Sequence, residues 1–108
     1  MKRLAELSSL KKKRKMRVAY KNRHILLLYV DGEEFGIDDK CPHMGTSLYP
    51  GKLEEDTLYC KDHRLAIDVK TGMVANEKQA DFMGLDAYSR SVRKYPVFVD
   101  GDGIFIKD

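Results

Sequence analysis

Two short motifs, each made of one cysteine and one histidine, constrain this chain more than any other feature. Cys41 and His43 stand at Cys-x-His spacing, Cys60 and His63 stand at Cys-x-x-His spacing, and the sixteen residues 44–59 separate the two pairs. These are the only two cysteines in the 108 residues. Thiolate and imidazole are both good ligands for iron, and two such loops can close over a single small cluster. The spacing therefore predicts a metal site between two loops.

The same two cysteines indicate the cellular compartment. Each has a histidine beside it, which is typical of a metal site rather than a disulfide framework, and such a site suits a reducing compartment. The longest apolar run, residues 25–30, is far shorter than the ~20 residues of a membrane span. The basic N-terminus lacks the apolar core and cleavage site of a signal peptide. We expect a cytoplasmic protein that does not associate with a membrane.

Charge is divided unevenly along the chain. Residues 1–23 hold ten Lys or Arg and one acidic residue, and residues 24–108 hold ten and sixteen, so charges of +9 and −6 give the net +3. The basic run over residues 11–15 has no interleaved aromatic residues that would stack on bases. We interpret it as a solvated turn leading into a strand, and we expect no nucleic-acid partner. A bipolar charge distribution can still steer a charged protein partner.

Strand and turn signals recur about every 8–12 residues, and no long segment has a helical period. The pattern predicts one all-β domain that is large enough to bury a core. Residues 1–10 fit either a short strand or a helical turn, and residues 75–91 fit either a helical turn or a packed loop. The predicted strands cover residues 16–20, 24–30, 35–37, 57–59, 65–69 and 73–74, and a closing hairpin over residues 95–106.

The charge of the candidate ligands favours a redox role. Two ferric ions and two sulfides together carry two positive charges, so two thiolates make an oxidised two-iron site neutral. An all-cysteine site would carry two negative charges and would accept an electron less readily. On this argument Cys41 and Cys60 bind one iron, and His43 and His63 bind the other, where the added electron settles.

Two other classes of site use the same residues. A structural zinc site with two cysteines and two histidines is the first alternative, although zinc sites favour unmixed Cys-x₂₋₄-Cys and His-x₃₋₅-His pairs. A thiol enzyme that uses Cys41 or Cys60 with its neighbouring histidine is the second, but it needs only one such pair. The third histidine, His24, begins an apolar strand with no cysteine near it, and we leave it out of the site.

Residues 41–48 read Cys-Pro-His-Met-Gly-Thr-Ser-Leu, and together with the sixteen-residue gap and the Cys-x-x-His pair they resemble the Rieske [2Fe–2S] ferredoxin family. The paired motif is far more specific than either half. The resemblance covers roughly residues 4–74 and 92–107. The flanking matches are residues 30–33, residues 37–40, Asp68 with Thr71 and Gly72, and residues 95–97.

The resemblance implies an all-β fold and one [2Fe–2S] cluster per chain. The larger part of this fold, its base, is an antiparallel β-sandwich or barrel. We place the base at residues 1–38 and 75–108 of a single domain spanning residues 1–108. A small two-loop cluster-binding subdomain, residues 39–74, is inserted in that base, with the histidine ligands exposed at its tip.

The second loop departs from the family pattern. The pattern usually continues Cys-Pro-x-His-Gly, and here Lys61 replaces the proline and Arg64 the glycine. Ile67 stands where the family has an aromatic residue. Because a close backbone approach to the cluster would forbid a side chain, we expect either an outward-pointing Arg64 or a remodelled second loop.

The hydrogen-bond donors of the site also differ from those of respiratory-chain Rieske proteins. Those proteins have an extra cysteine pair, and they place a serine and a tyrosine after the second histidine to hydrogen-bond the cluster and a cysteine sulfur. Here the extra cysteines are absent, and Leu65 and Ile67 take the donor positions. Fewer donors stabilise the reduced cluster less, so we expect a low-potential centre.

The family implies an electron carrier rather than an enzyme, and no dinucleotide fingerprint is present. We expect redox protein partners, with one electron passing from a flavin reductase to a Rieske oxygenase. The alternative is a small subunit of a larger reductase of the assimilatory nitrite reductase type. Lys61, Asp62 and Arg64 flank His63 and form the expected docking rim. Met44 and Leu48 are expected to shield the cluster beside the first loop.

Overall fold

The structure is a computed structural model that describes residues 1–107; Asp108, the last residue of the predicted domain, lies outside them. It consists of antiparallel strands with two short α-helices and one 3₁₀ turn, Ala87–Ser89. The prediction of an all-β fold is confirmed. The elements are β1 (Lys2–Glu6), α1 (Leu7–Lys13), β2 (Lys15–Tyr20), β3 (Arg23–Val30), β4 (Glu33–Asp38), β5 (Lys52–Glu54), β6 (Thr57–Tyr59), β7 (Ala66–Asp68), α2 (Glu77–Phe82), β8 (Lys94–Tyr95), β9 (Val97–Asp100) and β10 (Gly103–Ile106).

Three antiparallel sheets organise these strands. Their strand orders are β1–β10–β9, β2–β3–β4–β8 and β5–β6–β7. The first two sheets are built from both ends of the chain, and the third lies entirely within the middle of the sequence. No helix in residues 1–107 is long and apolar enough to cross a membrane.

The apolar strand β3 connects two hydrophobic cores. Successive side chains of a strand point to opposite faces. Leu26 and Leu28 are therefore buried in one core, and Ile25 and Leu27 are buried in the other. This arrangement confirms the prediction that the strand is covered on both faces.

The first of these cores lies beneath both ligand loops. It contains Cys41 and Cys60 themselves, together with Leu48, Leu58 and Leu65. Cys41 follows β4 by three residues, and Cys60 follows β6 directly. Each loop is thus anchored at its start by a strand and underneath by apolar packing.

The interpretation of residues 11–15 as a turn was wrong. Residues 11–13 are the last turn of α1, and residue 15 already begins β2. The helix forms because Leu7 and Leu10, three residues apart, pack on the core on one face. It ends at Arg14, which has a φ of +72°.

Two further differences concern short strands. The three-residue strand β5 (Lys52–Glu54) was not predicted, because it is a polar edge strand that pairs only with β6. The predicted strand at residues 73–74 makes only isolated bridges, from Val74 to Ile67 and from Met73 to Ser91.

Residues 75–91 form α2 and the 3₁₀ turn, and side-chain caps order both. Asn76 Oδ1 accepts the N–H of Gln79 at 3.1 Å, and Ala80 is fully buried. Asp86 accepts the N–H groups of Tyr88 and Ser89 at 3.0 Å. The segment that the sequence left open is therefore a capped helix followed by a capped turn.

Candidate metal centre

The first ligand loop is a tight turn closed by its own backbone. The N–H of Cys41 donates to the carbonyl of Thr46 at 2.7 Å, and the N–H of Gly45 donates to the carbonyl of Cys41 at 2.7 Å. Gly45 has a φ of +77°, which glycine adopts without strain. The Cys41 and His43 side chains are thereby held on one turn.

Asp39 holds the far end of this loop, and sequence reasoning did not assign it a role. Its carboxylate is completely buried. Oδ1 accepts the N–H groups of Leu48 and Tyr49 at 2.8 Å, and Oδ2 accepts Ser47 Oγ at 2.6 Å and Arg17 Nε at 2.5 Å. A buried carboxylate needs such hydrogen-bond partners. Through these bonds Asp39, which directly follows β4, fixes the first ligand loop to the end of that strand.

The second ligand loop is closed by one backbone hydrogen bond, from the N–H of Cys60 to the carbonyl of Leu65 at 2.9 Å. His63 and Arg64 both have positive φ, at +65° and +55°. The Arg64 side chain is exposed to solvent. Of the two outcomes that we expected for Arg64, the structure has the outward-pointing one.

The two thiols meet inside the protein. Cys41 is 2% exposed and Cys60 is 1% exposed, and both are free. Burial raises the pKa of Cys41 to about 11, while hydrogen bonds from the backbone N–H groups of His43 and Met44 oppose that rise, and the Cys60 thiol contacts it. These N–H groups would stabilise a thiolate once a metal displaces the proton.

The two imidazoles meet nearer the surface. The rings of His43 and His63 lie 4.8 Å apart between centroids and at 86° to each other. His43 is half-buried and His63 is exposed. Over residues 1–107, the only buried side-chain nitrogen or oxygen without a hydrogen-bond partner is His43 Nδ1. A buried nitrogen that lacks a partner fits a metal ligand.

This arrangement fits a two-iron cluster better than a zinc ion. Structural zinc sites favour pairs of cysteines and pairs of histidines on single elements, whereas each loop here supplies one cysteine and one histidine. A thiol pair beside an imidazole pair instead offers two ligands to each of two irons.

The other residues singled out in the sequence surround this centre. Met44 is 64% exposed, and its shielding of the cluster stays a prediction. Lys61 is exposed beside His63, and Asp62 is half-buried. The side chain of His24 is exposed, and its carbonyl accepts the N–H of Asp39 at 3.0 Å.

Gln79 of α2 also belongs to the surroundings of the second loop, and sequence reasoning missed it. Its Nε2 donates to the carbonyl of Arg64 at 2.9 Å, and its Oε1 accepts the N–H of Ala66 at 3.0 Å. A signal for its helix was present: Asn76 followed three residues later by Gln79 is a capping-box pattern.

Comparison with known proteins identifies the family. A family model described as the Rieske [2Fe-2S] domain matches residues 1–96. The 3-phenylpropionate/cinnamic acid dioxygenase ferredoxin subunit of Escherichia coli (strain K12) is 35% identical over 83 residues, which are 76% of this chain and 70% of that protein. The chain belongs to the Rieske [2Fe–2S] domain family.

Solved structures agree in fold. The ferredoxin of Sphingomonas yanoikuyae B1 is 23% identical with a TM-score of 0.82, over 99% of this chain and 97% of that one. A chain from a complex of reduced oxygenase and oxidized ferredoxin in carbazole 1,9a-dioxygenase is 21% identical with a TM-score of 0.79, over 97% and 90%. Other matching proteins are longer than this chain. Pseudomonas putida CBB5 NdmA is 16% identical with a TM-score of 0.80, over 96% of this chain and 32% of that one.

Three predictions are confirmed by these findings. The chain is a Rieske-type ferredoxin, it carries a [2Fe–2S] cluster, and it is an electron carrier rather than an enzyme. The relative from Escherichia coli is a ferredoxin subunit of a dioxygenase, and neither it nor the family model describes a zinc domain or a thiol enzyme.

Proposed function

We propose that this chain carries one electron at a time from a flavin reductase to a Rieske oxygenase. The observation that carries the proposal is the division of the centre into a buried thiol pair and a more exposed imidazole pair. Buried thiols anchor a cluster in the fold, and an exposed histidine gives a partner protein a short electron path. The similarity to a dioxygenase ferredoxin subunit supports an oxygenase as the acceptor.

Four side chains would hold the cluster. The thiolates of Cys41 and Cys60 would bind one iron, and the imidazoles of His43 and His63 would bind the other. When bound, the cluster supplies a centre that takes up and returns one electron. The N–H groups that bond Cys41 keep its sulfur oriented, and the buried core beneath the loops keeps water away from it.

The placement of the sheets supports a division of the domain into two parts, and the cysteines support a cellular location. Residues 1–38 and 75–108 form the base, and residues 39–74 form the cluster-binding subdomain. In support, the sheet β5–β6–β7 lies wholly inside the second range, and the strands of the other sheets lie in the first. Two free, buried cysteines suit the reducing cytoplasm.

Metal analysis of His63→Ala and His24→Ala variants tests the proposal. The wild-type protein, purified anaerobically, should contain two irons and two acid-labile sulfides per chain. His63→Ala removes a ligand and should lose most of the cluster, whereas His24→Ala, the matched control, should keep it.

Two results would contradict the proposal. Stoichiometric zinc without sulfide in a colourless wild-type sample would show a structural zinc site. A reduced wild-type protein that passes no electrons to any oxygenase preparation, although it holds an intact cluster, would refute the oxygenase as acceptor.

A further inference from the structure

The second ligand loop holds an unfavourable backbone conformation without glycine. His63 and Arg64 are consecutive, and both lie in the left-handed region of φ. Residues with a Cβ adopt this region at a cost, whereas glycine adopts it freely. Since the Rieske pattern has glycine where this chain has Arg64, other contacts must hold the turn here.

Gln79 supplies those contacts from outside the loop. Its amide group bonds the loop on both sides of Leu65, accepting from the N–H of Ala66 at 3.0 Å and donating to the carbonyl of Arg64 at 2.9 Å. The two bonds match the donor and acceptor of a peptide group. Gln79 thereby bonds the backbone of one of the two left-handed residues.

The helix that carries Gln79 is itself fixed in place. Isolated helices as short as the six residues of α2 are not stable in water. Arg90 holds it by donating to Glu77 and Asp81 at 2.8 Å each, and the fully buried Ala80 anchors it in the core. The Gln79 amide is therefore presented to the loop from a rigid support.

We propose that Gln79 is a positioning residue that holds the second loop in its left-handed turn and thereby fixes the direction of the His63 imidazole. The inference rests on the proposed function, because it takes His63 as a cluster ligand. It also implies that Gln79 is needed because residue 64 is not glycine.

A pair of matched substitutions in two backgrounds tests the proposal. Gln79→Met keeps the length of the side chain and removes both hydrogen bonds, and Lys78→Met changes the exposed neighbour on the same helix. Each is made with Arg64 and with Arg64→Gly. We measure cluster loss in the presence of a chelator, the EPR spectrum of the reduced protein, and amide exchange in the peptide that contains Ala66.

With Arg64 present, Gln79→Met should speed both cluster loss and exchange at Ala66 about tenfold, since two hydrogen bonds are lost. Its EPR spectrum should broaden as the His63 ring loses its fixed direction. Lys78→Met should change none of the three. In the Arg64→Gly background, Gln79→Met should lose its cluster at close to the wild-type rate.

Two outcomes would overturn the proposal. Faster exchange at Ala66 with unchanged cluster loss and EPR spectrum would reduce Gln79 to a structural contact. Equal cluster loss in the Gln79→Met variants with and without Arg64→Gly would show that the left-handed turn is not what Gln79 supports. A wild-type protein without iron or sulfide would instead contradict the proposed function, and exchange in the apoprotein would still decide whether Gln79 holds the loop.

Discussion

At the scale of single residues, Asp39 does for the first loop what Gln79 does for the second. Both side chains bond the backbone of a ligand loop from outside it, and neither is a candidate ligand. Asp39 is the more demanding case, because its carboxylate is fully buried and charged groups are costly to bury without partners. Four donors meet that requirement, and two of them are loop N–H groups.

We predict that Asp39→Ala destabilises the protein by about 3 kcal/mol, because it leaves buried N–H groups without partners. Asp39→Asn keeps one acceptor oxygen and should cost less. Arg17→Ala removes one of the four donors and leaves the other three in place, so it should cost less than Asp39→Ala. Urea unfolding monitored by circular dichroism measures all three. Equal losses for Asp39→Ala and Arg17→Ala would show that the ion pair, not the loop N–H groups, is what Asp39 supports.

The reduction potential is also set by individual residues. Leu65 and Ile67 are fully buried in the core under the loops, and their side chains have no hydrogen-bond donor. We predict a midpoint potential near the bottom of the roughly −150 to +300 mV span of Rieske centres. Fewer hydrogen-bond donors stabilise the reduced cluster less, which lowers the potential. Spectroelectrochemical titration measures the midpoint, and a value well above zero would contradict this inference.

The four candidate ligands could be named from the sequence, and the residues that hold their loops could not. Cys41 and His63 are recognisable because thiolate and imidazole carry their chemistry in the residue type. Asp39 and Gln79 are ordinary polar residues whose roles depend on contacts 8 to 22 and 13 to 15 residues away in sequence. No local pattern specifies such contacts.

At the scale of elements, the same distinction separates β3 from α1. The strand β3 carries its own signal in a continuous apolar run. The seven-residue α1 does not, since its first turn is stabilised by a residue 94 positions away. Asp102, in the turn between β9 and β10, accepts Ser8 Oγ at 2.7 Å and the N–H of Ser8 at 2.9 Å. The basic run was therefore misread as a turn.

We predict that Asp102→Ala frays the start of α1 and increases amide exchange at Ser8. The Ser8 hydroxyl and N–H lower the pKa of Asp102 below its usual 3.8. Because the folded pKa lies below the usual value, the stabilisation is complete above the usual value of 3.8. It is lost as the pH falls through the folded pKa. Asp100→Ala, at an exposed carboxylate in the same hairpin, is the control.

The pH dependence of this variant is diagnostic. The difference in stability between wild type and Asp102→Ala should be constant between neutral pH and about pH 5, and it should shrink below about pH 4. Unfolding midpoints over this range measure it. A difference that persists unchanged at low pH would show that the carboxylate charge is not involved.

At the scale of the whole molecule, charge is divided unevenly along the chain. Residues 1–23 carry +9, and residues 24–108 carry −6. Beside His63, however, the exposed side chains of Lys61 and Arg64 are both basic. The exposed edge around His63 is thus locally positive, although residues 24–108 are acidic overall. A partner with an acidic docking surface would be attracted to that edge, and such attraction acts mainly on the association rate.

We predict that reversing both charges, with Lys61→Glu and Arg64→Glu, slows electron exchange with the redox partner about tenfold at low ionic strength. The control is Lys12→Glu with Lys13→Glu, which changes the net charge equally but lies in α1. Stopped-flow kinetics across a salt series measures both pairs. Because salt screens charges beyond about 10 Å at 0.1 M, the loss should shrink as salt is added. If the α1 pair slows exchange as much as the pair beside His63, overall charge rather than this edge guides the partner, and docking lies elsewhere.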